Sequence, residues 1–93
     1  MLSHVVLITT KDKNYADKLC EGLETLKAIP NISIHFGKPI PSNRPVVDSN
    51  YTVGIVVQCK DQEGLTFYAE HPIHLKFVKE YLNDVSIKVY DFE

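Results

Sequence analysis

The 93-residue sequence has little of what marks several common protein classes. Arg44 is the only arginine, the lysines are scattered and the net charge is −2, so no basic stripe is present to neutralise the phosphates of a nucleic acid. The longest uninterrupted aliphatic run, residues 5–8, is far too short to cross a membrane. We therefore expect neither a nucleic acid nor a membrane among the partners.

Cysteine and the commonest catalytic motifs are also scarce. Cys20 and Cys59 are far apart and form no CxxC motif. The N-terminal segment MLSHVVLITT has no basic region and no small-residue cleavage site, so it indicates a strand and not a secretory signal. We predict two reduced thiols in a cytoplasmic protein. The sequence has no GxSxG motif, glycine-rich phosphate cradle or paired-carboxylate motif, and no cofactor is expected.

The spacing of apolar residues predicts alternating strands and helices. Strands are expected at 2–10, 31–38, 51–60 and 85–92, and helices at 14–29, 61–70 and 72–82, the last two separated at Pro72. This β-α-β-β-α-β order is that of a ferredoxin-like α+β fold, with an antiparallel four-stranded sheet and helices on one face. The length suits one domain, residues 1–93. Three prolines in residues 37–50 predict a long irregular loop.

The two most apolar strands indicate a partner. Residues 2–10 and 51–60 carry apolar side chains on both alternating faces, as in strands that are covered on both sides. In the ferredoxin-like order these two strands are central, and the helices cover only one face of the sheet. A bare apolar face of that size is an association surface. We therefore predict a homodimer in which two sheets pack face to face.

The stretch YAEHPIHLKF, residues 68–77, carries the candidate chemistry. His74 falls at the centre of the apolar arc of its helix and is expected to point into the domain, and Tyr68 falls on the inner side of the preceding helix. The apolar arc consists of Ile73, Leu75, Phe77, Val78, Tyr81 and Leu82. One interpretation is a polar pair in which each side chain satisfies the other or a nearby carbonyl. Another is a general base beside a phenol in a pocket, because the pKa of histidine lies near neutral pH. His71 precedes Pro72 and is expected at the helix cap.

The sequence gives less support for a functional role of the other histidines. A metal site formed by His71, His74 and His4 is a third interpretation, although no nearby carboxylate or cysteine completes an obvious ligand set. His4 lies in a buried strand and gains interest if its face lies under His74. His35, on the edge strand, is expected to face solvent, and the loop residue Arg44 is expected to be exposed. No metal is predicted.

Several segments together resemble a known family. These are HVVLITT, LCEGLETLKAIPNI, the glycine after the second strand, YTVGIVV, YAEHPIHLKFV and VYDFE. In this order they are similar to the stress-responsive A/B barrel family, Dabb, over nearly the whole chain. The resemblance implies a ferredoxin-like protomer and a homodimer whose two sheets form a dimeric α/β barrel.

The resemblance also implies a function for some members. A few plant members are cyclases that close a polyketide chain by intramolecular aldol chemistry, using a tyrosine and a histidine that match Tyr68 and His74. An N-terminal histidine of those cyclases matches His4. Their further pocket histidine follows a Tyr-Thr pair, where this sequence has Val53. The resemblance therefore suggests a pocket with His4, His71 and Val53 as ligand-binding positions, while the substitution at Val53 departs from the cyclase pattern.

Two functional hypotheses follow. In the first, a pocket between helices and sheet binds a small, largely apolar carbonyl or aromatic compound, and His74 and Tyr68 supply acid-base chemistry. In the second, the protein is a structural or stress-associated dimer without a ligand. A cavity of about 300 Å³ or more lined by Tyr68 and His74 would favour the first hypothesis.

Overall fold

The computed structural model describes residues 1–93 and contains every predicted element. Four strands, three helices and two short 3₁₀ turns alternate along the chain. They are β1 (Leu2–Thr9), a turn at Lys13–Tyr15, α1 (Ala16–Thr25), a turn at Leu26–Ala28, β2 (Ser33–Gly37), β3 (Val53–Cys59), α2 (Gln62–Glu70), α3 (Pro72–Tyr81) and β4 (Ser86–Phe92). None of the helices is long and apolar enough to cross a bilayer.

The strands form one antiparallel sheet in the order β2-β3-β1-β4. This is the ferredoxin-like arrangement, and the prediction that β1 and β3 are central is confirmed. The register places His4 of β1 opposite Val57 of β3 and, on its other side, opposite Asp91 of β4. Because directly opposed residues point to the same face, these three side chains share the face that the helices cover.

The core lies between that face and the helices. Residues 53, 55, 57 and 59 of β3 are at most 4% exposed, and they pack with Leu19, Leu23 and Leu26. Gly22 sits in the same stretch of α1. A Cβ atom at this position would lie 2.7 Å from the ring of Tyr81, so glycine is what allows the α3 ring to lie against α1. The Tyr15 hydroxyl donates to the Tyr81 carbonyl at 3.1 Å and reinforces this contact.

Side-chain caps explain where α2 and α3 begin. The Asp61 carboxylate accepts a hydrogen bond from the backbone N–H of Gly64 at 3.0 Å, which satisfies a free donor of the first turn of α2. At the start of α3, the Nδ1 atom of His71 accepts from the N–H of Ile73 at 3.1 Å, and Pro72 occupies the first turn. The predicted capping role of His71 is therefore confirmed.

Strand β4 is left uncovered. It pairs with β1 along one edge, and all seven of its residues are exposed. The helices lie over the other strands, so even the helix-side residues Ile87 and Val89 meet solvent. The opposite face of the sheet, here called the open face, is bare as well. Its exposed apolar residues include Val56, Tyr90 and Phe92.

The sequence pattern overestimated the buried surface of α3. Leu75 and Val78 fall in the predicted apolar arc, yet both are exposed, and Phe77 is the buried residue of this helix. The helix packs mainly on α1 and α2. Ile73 and Tyr81 are partly buried against the core, whereas Leu75 and Val78 meet solvent.

Candidate functional site

Tyr68 supplies a buried phenol whose hydroxyl is free. Its position on the inner side of α2 leaves the residue 4% exposed. Burial disfavours the phenolate and raises the pKa of Tyr68 to about 12. The hydroxyl makes no hydrogen bond within the protein, yet no buried side-chain oxygen or nitrogen lacks a partner, so this oxygen reaches solvent. Tyr68 is therefore a protonated donor without a protein acceptor.

His74 lies directly beside this phenol. The two ring centres are 4.6 Å apart and tilted by 56°. The carbonyl oxygen of Ala69 lies 3.0 Å from Nδ1 of His74, and because a carbonyl can only accept, Nδ1 carries the proton. Burial lowers the pKa of His74 and outweighs the opposing effect of this hydrogen bond. The neutral ring then has its lone pair on Nε2, the atom that a general base requires.

His4 and Asp91 complete the group. The His4 ring packs edge-on to that of Tyr68, with centres 6.1 Å apart. Its Nδ1 atom lies 2.5 Å from a carboxylate oxygen of Asp91. This contact with the carboxylate fixes the orientation of the imidazole. Sequence reasoning missed Asp91, because only the pairing of the first and last strands brings it to His4.

We call the region around these side chains the β4 recess. It lies on the helix side of β4 and is bounded by His4, Tyr68, His74, Val89 and Asp91. It is not one of the five main cavities of the protomer. The largest cavity, about 540 Å³, lies between α1 and α3 and is lined by Thr25, Ala28, Ile73, Lys76, Phe77, Glu80 and Tyr81. The four other main cavities also exclude Tyr68 and His74.

Other predicted positions lie outside the recess. Val53 is wholly buried and pairs with Ile8, four residues along β3 from Val57, which is about 13 Å at the rise of a strand. Its predicted contact with a ligand gains no support from this position. His71 uses Nδ1 for the helix cap, and its ring packs on Phe67 at 5.6 Å.

The metal interpretation gains no support from the geometry. No three side chains of histidine, cysteine, aspartate or glutamate converge in a way that could hold an ion. His71 is engaged in the helix cap, while His4 and His74 each direct Nδ1 to an oxygen of the protein. His35 and Arg44 are exposed, as predicted.

Comparison with known proteins identifies the family. A model of the stress-responsive A/B barrel domain family, Dabb, matches residues 2–93. The chain belongs to the Dabb family. The resemblance seen in the sequence is thus confirmed, and the HPxH block of this Dabb chain forms the α2–α3 junction and the start of α3. No curated protein matches the chain closely enough to add to this.

Solved structures agree with the Dabb fold. A Dabb family protein from Mesorhizobium loti is 26% identical, with a TM-score of 0.73, and the match covers 99% of this chain and 94% of that one. A dimeric ferredoxin-like protein from Jannaschia is 22% identical, with a TM-score of 0.81 and coverage of 99% and 97%. A hydroxynitrile lyase from Passiflora edulis is 18% identical, with a TM-score of 0.74 and coverage of 98% and 90%.

Proposed function

We propose that this Dabb protein binds a small, largely apolar carbonyl or aromatic compound in the β4 recess. The observation that carries the proposal is the pairing of two polar groups that have no partner in the protein. The Tyr68 hydroxyl is free and reaches solvent, and Nε2 of His74 has its lone pair available beside it. Exposed aliphatic side chains such as Val78 and Val89 supply apolar contact for the rest of the ligand.

The same two groups suit acid-base chemistry on a carbonyl compound. Nε2 of His74 accepts a proton from the carbon next to the carbonyl, and the electron pair of that bond moves toward the carbonyl oxygen. The Tyr68 hydroxyl donates a hydrogen bond to the oxygen as negative charge develops there. The resulting carbanion attacks a second carbonyl of the same molecule, and the imidazolium then returns its proton to the new alkoxide. Both residues begin in the required protonation state.

One relative supports a catalytic use of the fold. The Passiflora edulis protein is a hydroxynitrile lyase, so this architecture can hold an active site in a chain of similar size. At 18% identity the likeness concerns the fold, and the choice of reaction rests on the residues of the recess.

We propose a homodimer formed through the open face as the working unit. Val5, Leu7, Val56, Tyr90 and Phe92 share this face, and solved relatives from Jannaschia and Bacteroides fragilis are dimeric. A protomer that left these side chains in water would expose a large contiguous apolar patch. Sheet-to-sheet packing buries it and forms the dimeric barrel.

We also propose that the protein works in the cytoplasm with both thiols reduced. Burial raises the pKa of Cys20 and Cys59, which keeps each in the unreactive thiol form.

A thermal-shift screen tests the ligand proposal. Small carbonyl and aromatic compounds are added to the wild type, to His74→Ala and to Lys79→Ala, a control on the exposed side of the same helix. We expect at least one compound to raise the melting temperature of the wild type and of Lys79→Ala but not of His74→Ala, because a ligand stabilises only the state that binds it. A compound that shifts all three equally binds outside the recess. If no compound shifts the wild type, the ligand proposal fails.

The position of the main cavities, away from Tyr68 and His74, favours a second candidate function. A stress-associated dimer without a ligand needs no cavity, and none of the main cavities of the protomer includes Tyr68 or His74. This candidate predicts that His74→Ala lowers the melting temperature while no compound in the screen raises that of the wild type. The same experiment therefore separates the two.

A further inference from the structure

The long connection between β2 and β3 is built as a projecting arm. This arm, residues 38–52, contains no helix or strand, and every residue from 40 to 48 is exposed. Two of its aliphatic side chains, Ile40 and Val46, are 81% and 82% exposed. Side chains of this kind are normally buried, and here nothing within the protomer covers them.

The base of the arm is fixed while its tip is free. At one end, Lys38 forms an ion pair of 2.5 Å with Asp17 of α1. At the other end, Thr52 is buried, and its hydroxyl accepts a hydrogen bond from the N–H of Thr10 at 2.9 Å. The tip folds on itself, because the N–H of Val47 donates to the carbonyl of Arg44 at 3.1 Å. Three prolines further restrict it, so little entropy is lost when it binds.

We propose that in the homodimer the arm of each protomer docks on the β4 recess of its partner, with Ile40 and Val46 covering the apolar rim. This inference rests on the proposed packing of the two open faces. Docking of the arm would make each candidate site a shared one, because residues of both protomers would then line the β4 recess.

The length of the arm and its position beside the open face support its docking on the partner protomer. The arm leaves the sheet from β2 and β3, the strands that carry half of the open face, so it stands at the edge of the proposed interface. Its fifteen residues allow about seven in each direction, or about 23 Å at about 3.3 Å per extended residue. Packed sheets lie about 10 Å apart, so an extended arm is long enough to pass the sheet of the partner and reach its helix side.

The surface near the β4 recess is apolar, like the tip of the arm. Leu75 and Val78 lie one and four residues after His74 on α3, and both are exposed. Ile87 and Val89 point to the helix side of β4 and are exposed as well. The exposed aromatic side chains of β4 lie on its opposite face, so apolar side chains meet solvent on both faces of this edge strand. A second copy is the one occupant that carries both a matching open face and an apolar arm.

Cysteine cross-linking in mixed dimers tests the docking. Val46→Cys and Val89→Cys are made separately in a Cys20→Ser background and mixed under mild oxidation, with Val46→Cys plus Lys27→Cys as the control pair. Lys27 is exposed in the turn that follows α1, on the β2 side of the sheet and away from β4. We expect a covalent heterodimer from the first mixture and little from the control. Equal cross-linking in both mixtures, or none in either while the dimer persists, overturns the proposal.

A second measurement addresses the energetics. The double variant Ile40→Ser/Val46→Ser changes exposed side chains, so the protomer folds normally. We expect its dimer dissociation constant, measured by analytical ultracentrifugation, to rise about tenfold or more because apolar burial is lost. An unchanged dissociation constant contradicts docking of the arm.

Val56→Lys, on the open face, reports separately on the sheet interface. If Val56→Lys leaves the dimer intact, the sheet-to-sheet proposal fails whatever the arm does.

Discussion

On the helix side of the sheet, strands β3 and β4 carry similar aliphatic side chains, but those of β3 are buried and those of β4 are exposed. On β3, Val57 is wholly buried under the helices, while on β4 Val89 points to the same side of the sheet and is 48% exposed. The difference comes from position, because β3 is central whereas β4 is an edge strand beyond the helices. Tyr68, His74 and His4 gather where the covered region ends. The candidate site therefore lies at the boundary of the helix layer.

The same substitution on the two strands gives the largest expected contrast. Val57→Ala removes wholly buried methyl groups, and we expect it to lower the free energy of unfolding by about 2 kcal/mol. Val89→Ala should lower it by about 0.5 kcal/mol or less at concentrations where the protein is monomeric. Urea denaturation measures both. Equal losses for the two variants would show that β4 is covered even in the protomer.

The junction between α2 and α3, next to the candidate site, can be weakened by a single substitution. His71→Ala removes the acceptor for the N–H of Ile73, and we expect a loss of about 1 kcal/mol in unfolding free energy. His71→Asn keeps a side-chain acceptor and should recover most of the loss. Thermal melts followed by circular dichroism provide the measurement. If the alanine variant is as stable as the wild type, the cap contributes nothing.

A smaller effect is expected from pH. The folded state favours neutral His74, because its pKa is lowered by burial, so the unfolded chain binds more protons as the pH falls below about 6.5. Stability should therefore decrease below that pH and be unaffected by this residue above it. His74→Gln should flatten the decline, by less than about 1.4 kcal/mol per pH unit. Denaturation at pH 5, 6 and 7.5 tests this, and parallel curves for the two proteins would contradict it.

The smallest effect on folding should come from removal of the Tyr68 hydroxyl, the group that the ligand proposal uses as a hydrogen-bond donor. Tyr68→Phe removes a hydroxyl that has no partner in the protein, so we expect the unfolding free energy to change by less than about 0.5 kcal/mol. A compound found in the thermal-shift screen should nevertheless bind more weakly to the variant. A loss above about 1 kcal/mol in the free protein would instead assign the hydroxyl a structural role.

Much of this fold could be predicted from the sequence, because each element carries its own periodicity. The break at Pro72, the cap at His71 and the central positions of β1 and β3 all follow from local patterns. A helical pattern, however, shows which side is apolar and not whether a neighbour covers it. For this reason the pattern predicts that Leu75 is buried, although it is exposed.

The candidate site was only partly predictable, for a related reason. Tyr68 and His74 are close in sequence, and the prediction that both face inward holds. Asp91 lies 87 residues from His4, and only the register of β4 against β1 brings them together. The uncovered edge above β4 depends on where the helices end, which no local pattern reveals.

The pairing of β1 with β4 has a consequence for the connectivity of the chain. Ser3 lies opposite Phe92 in an antiparallel pair, so the start of the first strand and the end of the last are neighbours. A turn of about two to five residues is enough to join such strands as a hairpin. The exposed tip of the arm then offers a place to open the chain. The fold should therefore accept circular permutation, with new termini near Asn43 and every strand pair retained.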